Sequence, residues 1–255
     1  LFFALPAGAH TLTLQPVNSG FMEEMTWMEG RDRMSAGATI GIIPSGGIEQ
    51  NGPHMVIGKH NTIARYTAGE IARRLGNALV APVIAYTPEG RIEPPEGHMQ
   101  FAGTMSVSNE TYARVLEDAA RSMKQHGFRL ICFVGDHGGS QDAQRIVAEK
   151  LNAEWQSMGT RVLNVSDYYS AANGQNKWVE SVGIKVVNPL AHAGFADTSE
   201  LMSINAPGIR DGKRGNYSDK DYQRTGAMGD SSKASANHGR RLLSLKVEAA
   251  VAQIQ

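Results

Sequence analysis

Arg129-Leu130-Ile131-Cys132-Phe133-Val134, running straight into Gly135-Asp136-His137-Gly138-Gly139-Ser140, is the stretch on which the reading of the fold turns. Five apolar residues after Arg129, β-branched and aromatic among them, have the length of a buried strand. The glycines that follow suit a tight turn, and residues 141–155 carry a helical pattern. Upstream, Ser108 suits an N-cap for a helix over 108–126, with Tyr112, Val115, Leu116, Ala119 and Met123 as its apolar face and Gly127 as its stop. Working outward, strands are predicted over 38–44, 78–85 and 161–165, a helix over 62–75 ended by Gly76-Asn77, and a closing helix over 232–254. Residues 167–191 read as less regular, and the Gly-, Asp-, Arg- and Lys-rich span 208–229 reads as a surface loop or an oligomer contact. Strand and helix alternate through most of the chain. That pattern predicts an α/β fold: a single domain with a mainly parallel sheet flanked by helices.

The chain has 255 residues, 41% hydrophobic and 20% charged, enough for one domain with a sizeable core. Its 25 basic and 25 acidic residues cancel and are interspersed. With no basic block, neither nucleic acid nor an anionic membrane is an expected partner. The single cysteine, Cys132, excludes an internal disulfide and reads as a small core residue of the 129–134 strand. Residues 1–22 read as a signal-peptide remnant or an N-terminal arm, with Ala7-Gly8-Ala9 as a small-x-small cleavage site. That points to the periplasm or secretion, with the cytoplasm as the alternative. The main domain is expected over 23–255.

Polar clusters fall where strands end, the place at which parallel α/β sheets bind ligands. The first is Glu49-Gln50-Asn51-Gly52-Pro53-His54 with Lys59-His60-Asn61. Glu49, His60 and His137 are of the types that zinc, manganese and iron accept, and a catalytic site needs about three such ligands plus an open position for water. His60 reads equally as an exposed loop histidine, and His54 as a brace for its loop. The glycines around His137 bring backbone amides toward a ligand, so Gly138 and Gly139 are candidates for holding a developing negative charge. Asp136 reads either as a helix cap or as a substrate contact. In the third cluster, His192-Ala193-Gly194-Phe195-Ala196-Asp197-Thr198-Ser199-Glu200, His192 is the candidate general acid–base and Asp197 a candidate metal carboxylate. His98, in Glu96-Gly97-His98-Met99, reads equally as pocket lining and as structural.

In combination these motifs resemble the creatininase (creatinine amidohydrolase) family. Its approximate pattern is P-x-G-x-x-E-Q-H-G-P-H-L-P-x-x-x-D, then F-P-G-T, N-G-H-G-G-N and H-A-G-x-x-E-T-S. The matching segments here begin at Pro44, Phe101, Gly135 and His192, in the same order, and the resemblance covers about residues 23–254. It implies a compact α/β fold, a homo-oligomer (a hexamer), a small-molecule substrate and metal-dependent hydrolysis of amide-type C–N bonds, commonly with two divalent ions. Carried over by position, Glu49 and His137 match metal ligands, His192 matches the catalytic histidine, and Asp197 replaces a glutamate. Asn51 stands where the family has a ligand histidine, which leaves it as a substrate contact beside His98, Asp136, Gly138 and Gly139. His60 stands where the family has the aspartate that bridges two ions. A neutral imidazole cannot bridge two ions as a carboxylate does, so a single ion is expected, held by Glu49, His60, His137 and Asp197. Zinc comes first, with manganese or iron as alternatives. The expected reaction is attack of metal-bound water on an amide or cyclic amide, with His192 shuttling the proton. Hydrolysis of a lactone or a peptide on the same site is one alternative, and a non-catalytic binding protein on this scaffold is another.

Overall fold

The structure, a computed structural model, describes residues 19–255. The predicted signal remnant or arm therefore lies outside the described residues, apart from 19–22. In chain order the elements that matter here are α1 (Trp27–Ser35), β1 (Ile40–Ser45), α2 (Lys59–Leu75), β2 (Ala78–Val80), α3 (Asn109–Gln125), β3 (Leu130–Gly135), α4 (Gln141–Glu154), β4 (Arg161–Asn164), α5 (Ser166–Ser170), α6 (Ala172–Ser181), α7 (Phe195–Ile204), β5 (Asn216–Tyr217), α8 (Tyr222–Thr225), β6 (Gly229–Asp230) and α9 (Ala236–Ile254). The first four strands form one parallel sheet in the order β2-β1-β3-β4, with Ile40 opposite both Ala78 and Leu130, and Leu130 opposite Arg161. The expected mainly parallel α/β sheet is thus present, with helices on both faces.

Alternation along the strands divides the core into two layers, as the period of two requires. Ile43, Ile131 and Phe133 pack with Tyr112, Leu116, Ala120 and Met123 of α3 and Val147 and Leu151 of α4. On the other face Ile42, Cys132 and Val134 meet Ala68 and Ile71 of α2, Tyr168 of α5, and Val247 and Ala250 of α9. Both faces of the central strands are covered, which is why β3 reads as an unbroken apolar run. Cys132 is buried in the second layer, with its thiol pushed up to about 12 by burial.

Caps explain the helix ends. The Ser108 side chain accepts the Thr111 amide at the start of α3, and Gly76 takes the left-handed conformation after α2 (φ 79°). Four sequence expectations need correction. Helix α2 begins at Lys59 rather than at 62, so His60 lies in its first turn instead of in a loop. The strand predicted over 78–85 holds regular pairing only to Val80. Beyond it Pro82 has no amide to give, although Ala81 and Ile84 still donate to the Ile42 and Pro44 carbonyls. Residues 167–191 carry α5 and α6, formed despite the weak helix formers Asn173 and Gly174 because neighbouring helices bury Tyr168 and Val179. Val115 is 45% exposed, and Ala120 takes its place on the apolar face of α3.

Candidate active site

The polar clusters meet beyond the carboxyl ends of β1 and β3, where the chain order of the sheet reverses direction. Ser45 lies opposite Gly135 in register, and the Asp136 amide donates to the Ser45 carbonyl (3.0 Å). From these ends Gly46-Gly47 leads to Glu49, Thr87-Pro88 leads to Glu89 after β2, and Asp136-His137 follows β3. Gly47 (φ 147°) is required by close approach, since a Cβ there would run into the Glu89 side chain. Replacing Gly47 by alanine is therefore expected to push Glu89 away and weaken divalent-ion binding about 10- to 100-fold, as loss of supporting contacts does at metal sites. Titration of the variant with Zn²⁺ followed by calorimetry checks this, and unchanged affinity contradicts it.

Glu49 is the hub, 1% exposed. Its Oε1 accepts from His60 Nε2 (2.7 Å) and lies 3.5 Å from Lys59 Nζ and 3.7 Å from His192 Nδ1. Its Oε2 faces His98 Nε2 (3.2 Å) and His137 Nε2 (3.3 Å). Burial alone would raise the Glu49 carboxyl, but His60, His137 and Lys59 hold it well below the usual range. Glu89, equally buried, accepts from Thr87 Oγ1 (2.6 Å) and puts its Oε2 3.1 Å from His137 Nε2. Burial and the Glu49 charge push the Glu89 carboxyl up to about 8.

Beneath Glu49 lies a network of fixed charges. Asp136 accepts from His60 Nδ1 (2.7 Å), Tyr168 Oη (2.6 Å) and Lys246 Nζ (2.7 Å). Lys246 also reaches Glu200 (3.2 Å), whose other oxygen accepts from Gln175. Lys59 donates to Asp197 (2.9 Å), which also takes the Ala193 amide. Burial and the Lys59 charge press His60 toward neutrality, yet Glu49 and Asp136 raise it to about 9, so it is an imidazolium at neutral pH. Burial opposes the charge on Lys59, and Asp197 and Glu49 overcome it and raise its pKa.

His192 is held by Gln50. Its Nε2 lies 2.9 Å from the Gln50 carbonyl and 3.0 Å from the Gln50 side-chain nitrogen, and its Nδ1 faces Glu49. Burial and the Lys59 charge push His192 down to about 4, so it is neutral. Gln50 is itself fixed, because Gly52 donates to its Oε1 (3.0 Å) while its Nε2 reaches His98 Nδ1 (3.1 Å).

A cavity of about 300 Å³ opens onto this assembly, lined by Glu49, Lys59, His60, His98, Asp136, His137, Gly138, His192 and Asp197, with Tyr169 and Leu190 on its wall. The structure thus gathers most of the residues singled out in the sequence and leaves Asn51, Gly139 and His54 outside the cavity lining. Asn51 is buried in its loop, donating to the Glu49 and Val56 carbonyls, and does not line the cavity. Gly139 lies behind His137 and donates to His137 Nδ1 (3.2 Å); a Cβ on it would strike the Pro88 carbonyl. Asp136 touches the cavity, but both its oxygens are engaged by protein groups. His54 braces its loop by a bond to Thr198 (2.9 Å). Sequence reasoning missed Glu89 and Lys246, and gave Lys59, within the first cluster, no role of its own.

Two groups of side chains offer converging ligand atoms: Glu49 with Glu89 and His137, and Glu49 with His98 and His192. The first fits a divalent ion. Glu49 Oε2 and Glu89 Oε2 are both buried without a hydrogen bond, and His137 Nε2 lies beside each. Two facing carboxylate oxygens in a buried site call for a cation or a proton. His60 has no lone pair to offer, since both nitrogens are bonded to carboxylates.

The creatininase family profile, described as creatinine amidohydrolase, matches residues 23–254. The chain belongs to the creatininase family, and it is a hydrolase. It is 29% identical over 241 residues to the mycofactocin precursor peptide peptidase of Mycobacterium ulcerans (strain Agy99), covering 84% of this chain and 83% of that protein. A creatinine amidohydrolase (creatininase) crystal structure superposes with a TM-score of 0.75 at 21% identity, covering 93% of this chain and 97% of the other. A manganese creatininase does so with a TM-score of 0.76, again at 21% identity, covering 92% and 97%. Among the described residues no helix is long and apolar enough to cross a membrane.

Proposed function

We propose that this protein hydrolyses an amide C–N bond in a small polar compound, with one divalent ion held by Glu49, Glu89 and His137. The observation that carries the reading is the pair of buried carboxylate oxygens, Glu49 Oε2 and Glu89 Oε2, without hydrogen-bond partners on either side of His137 Nε2. Zinc suits these ligands, as do manganese and iron. When bound, such an ion polarises a carbonyl and lowers the pKa of water.

The chain's own groups supply the rest. His192, neutral and with its Nδ1 facing Glu49, is placed to carry a proton to the leaving nitrogen. Gln50 fixes its orientation, and His98 closes the same side. Gly138 leaves room against the Tyr169 hydroxyl, where a Cβ would intrude at 2.8 Å. The walls are rich in carboxylates, lysines and imidazoles, and about 300 Å³ is at the small end for ligand pockets. A small polar substrate fits such a cavity better than a bulky apolar one.

Metal analysis of purified protein beside the variants Glu49→Gln and His137→Ala tests the reading. Metal in the wild type and its loss in both variants is the expected result, and full retention in both contradicts it. Ion uptake is also expected to expel a proton below about pH 8, because the Glu89 carboxyl holds one there in the metal-free protein. Apparent affinity should therefore rise with pH up to about 8 and then level. Calorimetric titrations in buffers of different ionisation enthalpy count the proton.

A peptide bond is the second reading, favoured by the 29% identity to a precursor peptide peptidase. Parallel assays on simple amides and short peptides separate the two.

A further inference from the structure

We infer that the Lys59 ammonium, with the His60 ring beside it, fills the half of the site a second divalent ion would need, so that the chain admits one ion and not two. This rests on the reading of Glu49, Glu89 and His137 as the ion site, and extends it to the opposite side of Glu49.

The two oxygens of Glu49 face different surroundings. On the Oε2 side stand His98, His137 and the bare Glu89 oxygen. On the Oε1 side the space is already taken. His60 Nε2 is 2.7 Å away and Lys59 Nζ 3.5 Å, and the same ammonium is 2.9 Å from Asp197 Oδ2. Lys59 therefore sits between two carboxylates of distant segments, where a bridging metal ion would sit. His60 likewise bridges Glu49 and Asp136.

Placement on the helix argues against a casual origin. Lys59 and His60 open α2, whose first turn carries no acidic residue. The amino end of a helix disfavours positive charge, and burial, with Lys59 only 1% exposed, disfavours it further. The Lys59 ammonium persists there because Glu49 and Asp197 flank it. On this side Lys59 meets Glu49 and Asp197, the His60 ring meets Glu49 and Asp136, and Lys246 meets Asp136 and Glu200, so each carboxylate is already engaged by a protein group. A divalent ion beside an immobile ammonium would be repelled at close range.

Removing the ammonium and supplying a carboxylate should reopen the position to an ion held by Glu49, Asp197 and the new side chain. The test is equilibrium dialysis against Mn²⁺ with metal counted by mass spectrometry, for the wild type, Lys59→Ala, and Lys59→Ala combined with His60→Asp. The double variant is expected to hold one more ion per chain than the wild type, with the isolated-ion Mn²⁺ resonance giving way to that of a coupled pair. Lys59→Ala alone is expected to take the added ion more weakly, and it carries the test if the double variant does not fold. Two ions in the wild type, or no gain in a folded variant, overturns the inference. A wild type that binds no ion refutes the site at Glu49, Glu89 and His137, whereas a gain of one ion in the variant still supports the assignment of Lys59 and His60.

Discussion

Asp136→Ala is expected to cost the fold about 3–5 kcal/mol, the usual penalty for stripping one partner from a buried ion pair. Its carboxylate accepts from His60, Tyr168 and Lys246, each within 2.7 Å, and its side chain is 1% exposed. Without it, two buried cations lose their shared counter-charge. Urea denaturation should show the loss as a lower midpoint, and thermal unfolding as a fall in Tm of roughly 10 °C. A change below about 1 kcal/mol would mean that the network is not what holds α9 against the strand ends. Asp136→Asn keeps the shape without the charge and should fall between.

The same network fixes the pH dependence of the metal-free protein. Burial works against the Asp136 charge, but Lys246 and His60 hold that carboxyl far below its ordinary value of 3.8. A depressed carboxyl contributes stability above its unfolded value and loses it as pH falls through the folded one. His60 runs the other way. Its pKa is raised from 6.5 to about 9, so its contribution is complete below 6.5 and is lost as pH rises through 9. Both contributions are therefore whole between about pH 4 and 6.5, and denaturation midpoints of the metal-free protein should fall on either side of that window.

Glu49→Gln is expected to have the largest effect on turnover. It removes the charge shared by the ion ligands and by the His60–Lys59 pair, while keeping the volume of the side chain. An amide is a poor partner for a divalent ion, so metal should be lost. With it goes several kcal/mol of transition-state stabilisation, a fall in kcat/KM on the order of a thousandfold or more. The variant should also unfold more readily, because the buried Lys59 and His60 each lose a carboxylate contact. Activity within tenfold of the wild type would exclude Glu49 from the reaction.

How far the sequence could be read depended on the range of the interactions involved. Strand β3 and helix α3 were legible because their signals are local: an unbroken apolar run, a serine cap, a glycine stop. The strand-end rule led to Glu49, His137 and the loop of His192, and these converge in one cavity. The same rule applied after β2 would have found Glu89, but Thr87-Pro88-Glu89-Gly90 looks like an ordinary turn and the strand before it is short. Lys59 and Lys246 carried no local signal, since a lysine is taken as solvated until its partners are known. Those partners, Asp197 and Asp136, lie more than a hundred residues away. Asn51 was misplaced for a related reason. Its neighbours in sequence point to the site, yet its own amide is spent on the Glu49 and Val56 carbonyls.

Anomalous diffraction at the zinc or manganese edge, from crystals soaked in the ion, tests the central claim most directly. The account predicts a single peak bonded at about 2.0–2.2 Å to Glu49, Glu89 and His137, with none on the Lys59 side of Glu49. No peak, or one seated between Glu49 and Asp197, would contradict it.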